Sequence, residues 1–99
     1  MSQSAQAEPF QGPDDREGFL VHTPYSEAFI DDLKEQVPSS DRRWWAESRG
    51  WWVSEEYWPV MAQLLLRYFD GYGLVDEATG EIEYVDRDGA RAHQGGLGL

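Results

Sequence analysis

The sequence predicts an α+β fold: a small, mostly antiparallel sheet with two helices packed on one face and flexible termini. Three observations lead there. Apolar residues recur at helical spacing in two segments, Phe29-Ile30-Leu33-Val37 and Tyr57-Met61-Leu64-Leu65-Tyr68. Short β-prone runs bounded by turn residues lie at 19–23, 42–53 and 74–85. Strand, helix, hairpin, helix and added hairpin then follow in an order typical of antiparallel sheets with helices segregated to one side.

Residues 1–18 are polar, with Pro9, Gly12, Pro13 and an Asp14-Asp15 pair and no apolar period, so they are expected to form a flexible lead. Phe19-Leu20-Val21-His22-Thr23 reads as a strand ended by Pro24, with Phe19 and Val21 on one side and Leu20 and His22 on the other. Ser26 is placed to cap a helix, Glu27 lies in its first turn, and Tyr25 and Ile30 occupy the positions of a hydrophobic staple. Pro38 disfavours helical geometry at Val37, so this helix should end near Gln36.

Residues 42–53 read RRWWAESRGWWV, and hold four of the five tryptophans and three arginines. They read as a hairpin, with Gly50 supplying a positive φ at the end of the turn. With an even-length loop, Trp44 faces Val53, Trp45 faces Trp52 and Ala46 faces Trp51. One face then carries Trp44, Ala46, Trp51 and Val53, and the other Arg43, Trp45, Trp52 and Ser54. Helices on one side of a small sheet leave its other face open. Trp44 and Trp51 are therefore expected to anchor the core, and Trp45 and Trp52 to be exposed beside arginine.

Ser54 is a plausible cap for the second helix, but Pro59 falls one position late for it. The first turn is thus expected to be 3₁₀, or the helix to begin nearer Tyr57. Gly71 is read as the residue just past its end. Glu77-Ala78-Thr79-Gly80 is a turn signal inside the second hairpin, and 86–99 is polar, then glycine-rich, and expected to be disordered. The folded unit is placed at 19–85.

Composition narrows the chemistry. Ninety-nine residues with a formal net charge of -11 argue against non-specific nucleic-acid binding by the whole surface. The charge is uneven: 70–88 holds seven acids against Arg87, whereas 42–49 holds three arginines against Glu47. With no cysteine, disulfides and thiolate metal sites are excluded. The N-terminus has no basic and apolar signal-peptide regions. The longest apolar run, 60–66, is interrupted by Gln63 and too short to span a bilayer. A cytoplasmic protein without membrane association is expected. His22 and His93 lie far apart, no serine sits in an elbow motif, and there is no phosphate-binding glycine loop. Asp86-Arg87-Asp88-Gly89 lacks the remaining positions of a calcium loop. No enzyme activity, cofactor, metal or small-molecule substrate is expected.

The span 19–69 resembles the HARP-type module of annealing helicases and of small bacterial proteins. The residues that carry the resemblance are a strand, a helix closing in Pro38, Arg43-Trp44, the basic turn 47–50, Trp51-Trp52-Val53 and the closing helix 57–69. The resemblance implies DNA association, with Arg42, Arg43 and Arg49 near phosphate and Trp45 or Trp52 near bases. The acidic balance departs from that pattern, and no ATPase is attached, so no remodelling activity is implied. The expectation is a non-enzymatic binding module whose Arg42, Arg43, Trp45, Arg49 and Trp52 contact single-stranded or junction DNA, since exposed aromatics stack on any base. The alternative is an acidic protein–protein interaction module or inhibitor that uses the same exposed tryptophan patch and the acidic C-terminal region, because Trp, Tyr and Arg also dominate interface hot spots.

Overall fold

The computed structural model describes residues 4–86 and 91–93. Period-two alternation begins in the segment expected to be a flexible lead. Ser4–Pro9 (SAQAEP) is a strand, β1, with Ala5 and Ala7 buried between exposed Ser4 and Gln6. It is followed by β2 (Gly18–His22), α1 (Glu27–Gln36), β3 (Arg42–Trp45), β4 (Gly50–Ser54), α2 (Trp58–Tyr68), β5 (Gly71–Val75), β6 (Ile82–Asp86) and a short β7 (Arg91–His93). The sheet order is β3-β4-β2-β1-β5-β6-β7. The expected flexible lead is thus overturned over the described residues: β1 is an interior strand, antiparallel to β2 and parallel to β5. Alanine is a weak β former, and the proline at the end of the run hid the pattern further. Of the expected disordered tail, Asp86 belongs to β6 and residues 91–93 pair with 83–85. Residues 87–90 and 94–99 lie outside the described residues.

The sheet is mostly antiparallel, with β1–β5 as its one parallel pair among the described residues. Both helices lie on one face. Phe29, Leu33 and Val37 from the first helical segment, Met61, Leu64, Leu65 and Phe69 from the second, and Ala5, Ala7, Val21, Val53 and Tyr72 from the sheet make one core. The first helix follows its local signals. Ser26 Oγ accepts from Phe29 N at 3.2 Å, and the helix ends at Gln36, two residues before Pro38. The expected staple does not form, because Tyr25 is 82% exposed. The second helix is preceded by a 3₁₀ turn, Glu55–Tyr57, which lets Pro59 fall in the first α turn at no hydrogen-bonding cost. Gly71 is a strand residue of β5 rather than a helix terminator: it packs under the Val85 carbonyl, and a Cβ would collide with it.

Asp32 ties the two helices together. Tyr68 Oη donates to Asp32 Oδ2 at 2.8 Å, Arg67 Nη1 at 3.1 Å, and Gln36 Nε2 to Oδ1 at 2.6 Å. The Gln36 and Tyr68 hydrogen bonds hold the Asp32 carboxyl below its ordinary value, and the same carboxylate raises the Tyr68 phenol.

Candidate functional site

The tryptophan hairpin forms, with a register two residues away from the expected one. Trp44 pairs with Trp51, Trp45 with Gly50, and Arg43 with Trp52. The loop is still even, so the division into faces survives: Arg42, Trp44, Trp51 and Val53 face the helices, and Arg43, Trp45, Trp52 and Ser54 face away. Positive φ falls on Arg49 (54°), not on Gly50. Gly50 is required for space, since a Cβ there would lie 2.9 Å from the Val21 carbonyl oxygen and 3.2 Å from the His22 ring.

The face away from the helices is not open at the hairpin. The β1–β2 connection folds back across it and buries Trp52 completely, at 0% exposure. Trp52 Nε1 donates to the Phe10 carbonyl at 3.1 Å, and the Arg16 guanidinium lies 5.5 Å from the ring centroid. Gly12 and Gly18 bring backbone so close to the indole that a Cβ on either would strike it. Arg16 is itself tethered, Nη2 to Asp41 Oδ1 at 2.6 Å and Nη1 to the Ser40 carbonyl at 2.7 Å. That hydrogen bond holds the Asp41 carboxyl below its ordinary value of 3.8.

The expected contact set therefore divides. Trp52 is overturned as a contact residue, because eight residues of chain separate it from solvent where one-sided packing had left it open. Arg42 is occupied internally: its Nε donates to the Val37 carbonyl at 2.9 Å and satisfies the C-terminal end of α1. Trp45 is half-buried, edge-on to Phe10 at 5.1 Å, with the Arg43 guanidinium 5.7 Å from its ring centroid. Arg43 and Arg49 are exposed. Arg42, Arg43, Trp45, Arg49 and Trp52 thus do not form one surface.

A different surface gathers on the helix face. Trp44, expected in the core, is 49% exposed; β3, which carries it, is the sheet's edge strand. It stands edge-on to Trp51, with ring centroids 5.5 Å apart. Between the β2–α1 connection and the β3–β4 turn lies a groove of about 490 Å³. Val21, Ile30 and Trp51 line it from the core side, Trp44 and Tyr25 are its exposed aromatics, and Thr23, Ala46 and Arg49 complete it. Arg49 has no ion-pair partner among the described residues. Thr23, Tyr25, Ile30, Trp44 and Trp51 line this groove and were not among the expected contact residues. The available signal was Trp44 on a hairpin strand that begins directly after a helix and loop, a position that topology can push to a sheet edge.

The side-chain polar groups of the residues around the groove are the Thr23 and Tyr25 hydroxyls, the Trp44 and Trp51 indole N–H groups and the Arg49 guanidinium, with no carboxylate or imidazole among the described residues that line it. Asp32, Asp41 and Tyr68, whose pKa values hydrogen bonding displaces, lie outside this groove. Among the described residues no cluster of His, Asp and Glu could hold a metal ion, and no helix is long and apolar enough to cross a membrane. No protein-family model, curated protein or solved structure matches the chain. The resemblance of 19–69 to HARP-type modules thus stands on its residues alone.

Proposed function

We propose that this protein is a non-enzymatic binding module whose contact site is the Trp44–Tyr25 groove and whose partner is a protein segment. The observation that carries this reading is the half-exposed Trp44, standing with Tyr25 beside an apolar groove at the sheet edge. Exposed aromatics that border a concave apolar surface are the usual anchors of protein interfaces, and arginine is enriched beside them. The neighbouring β3 offers a strand edge along which an extended partner can add. The groove suits an apolar or aromatic side chain, with an acidic group within reach of Arg49.

Selection of a random-sequence peptide library on the immobilised protein tests the reading. Recovered peptides should lose at least about tenfold in affinity on Trp44→Ala, as expected for an anchor worth over ~1.4 kcal/mol. Peptides that bind Trp44→Ala as well as the unaltered protein would remove the groove from consideration.

A second reading, single-stranded or junction DNA, draws support from Arg43 and Arg49 lying exposed on the same hairpin as Trp44. Two cations supply little phosphate attraction on a chain of net charge -11, so stacking would have to carry the affinity. Titration of labelled oligonucleotides at low salt separates the readings. Saturation below about 100 μM with quenching lost in Trp44→Ala favours DNA, and no saturation favours the protein partner.

A further inference from the structure

At the opposite end of the strands lies a second groove, of about 470 Å³. Pro9, Phe19 and Leu74 give it an apolar lining from the ends of β1, β2 and β5, and Glu77, Glu81 and Glu83 surround it from the β5–β6 hairpin. Among the described residues no lysine or arginine lines it. We propose that this groove docks a basic, partly apolar peptide segment of a protein partner, independently of the Trp44 site.

Charge complementarity and the lining argue together for that occupant. A small cation is a poor fit, because no three carboxylates among the described residues come together as metal ligands. The acids are spread along a hairpin instead. Asp76 is already engaged, its Oδ1 accepting from Ala78 N at 2.9 Å to hold the turn. Glu77 and Glu81 have exposed carboxylates with no ion-pair partner among the described residues. Nucleic acid is repelled by this rim. Lysine and arginine fit it because their long aliphatic stems cover apolar surface while the charged head reaches a rim of carboxylates. Leucine-like residues between them would fill the space over Pro9 and Leu74. Phe19 connects the groove to a reporter, since its ring lies 4.6 Å from that of Trp58.

The test uses a short fluorescein-labelled peptide of alternating lysine and leucine, titrated by anisotropy into the full chain at low salt. Saturable binding is expected, and none up to about 1 mM overturns the proposal. Glu77→Lys/Glu81→Lys should raise Kd at least about tenfold, because both rim charges reverse next to the peptide. Asp31→Lys/Glu35→Lys makes the same net charge change on α1 and should leave Kd within about twofold; equal weakening by both pairs means that only overall charge attracts the peptide, and overturns the groove. A lysine–serine peptide should bind at least about fivefold more weakly than the lysine–leucine one, and equal affinity overturns the role of the apolar lining. Trp44→Ala should bind the lysine–leucine peptide unchanged. Loss of binding there assigns the peptide to the first groove and overturns the second, whereas failure of the Trp44 reading leaves these outcomes unaltered.

Discussion

At the scale of single residues, the hairpin tryptophans differ in what surrounds them rather than in sequence. Trp52 is enclosed by Phe10, Gly12, Arg16 and Gly18, so Trp52→Ala should lower unfolding free energy in urea by about 3–5 kcal/mol. Trp44→Ala forfeits mainly an edge-to-face contact with Trp51 and should cost only about 1 kcal/mol of stability, while a peptide selected on the Trp44 groove loses at least about tenfold in affinity. Asp41 adds a pH dependence of definite sign. Its carboxyl titrates lower in the folded chain than in the unfolded one. Its stabilising contribution is therefore complete above the ordinary value of 3.8, and is lost as pH falls through the depressed folded-state value. Asp41→Asn should be less stable than the parent at neutral pH, and the difference should close under acid, as followed by urea melts across pH. The division of the tryptophans between two faces was legible because side chains alternate along a strand whatever the register, provided the loop is even. Which face stays open was not legible, since the answer lies in a loop whose only aromatic is Phe10.

At the scale of elements, the helices and most strands were legible because their signals are local. A serine cap, a proline two residues past a helix, a period of 3.6 and a glycine turn at Gly80 (φ 77°) each act within a few residues. β1 was not legible, because what makes it a strand is non-local. Ala5 and Ala7 are buried by pairing with Tyr72 and Leu74 on one side and, through Ala7, with Val21 on the other. Their small size fits a position at the middle of the sheet beneath both helices. Ala7→Glu would place an unpaired carboxylate at a site with no exposure and should destabilise by about 3 kcal/mol or more, or abolish the cooperative transition seen by circular dichroism. The helix pair is less sensitive. Removing the Asp32 carboxylate should loosen α1 from α2, seen as faster amide exchange in both helices, without unfolding the sheet.

At the scale of the whole molecule, the sheet keeps its two grooves apart. One lies where β2 runs into α1, and the other where β2 begins, so ligands at the two ends need not compete. Saturating the acidic groove with the lysine–leucine peptide should leave the affinity of a Trp44-dependent peptide unchanged within about twofold, as expected for sites that share no contacting residue. Net charge alone could not have located either surface, because -11 summed over the chain hides an arginine-bearing end and an acid-rimmed end.

The position of β1 also sets a timetable for synthesis. The strand is translated first, yet one of its two neighbours, β5, is finished only at Val75. A nascent chain can form the β1–β2 hairpin early and add the tryptophan hairpin, but it must then carry an unpaired inner edge until β5 has been made. Such edges recruit other strands, so a chain ending at residue 70 should self-associate on size-exclusion chromatography where the full chain does not. For this protein, uninterrupted translation past Val75 is itself a protection against aggregation.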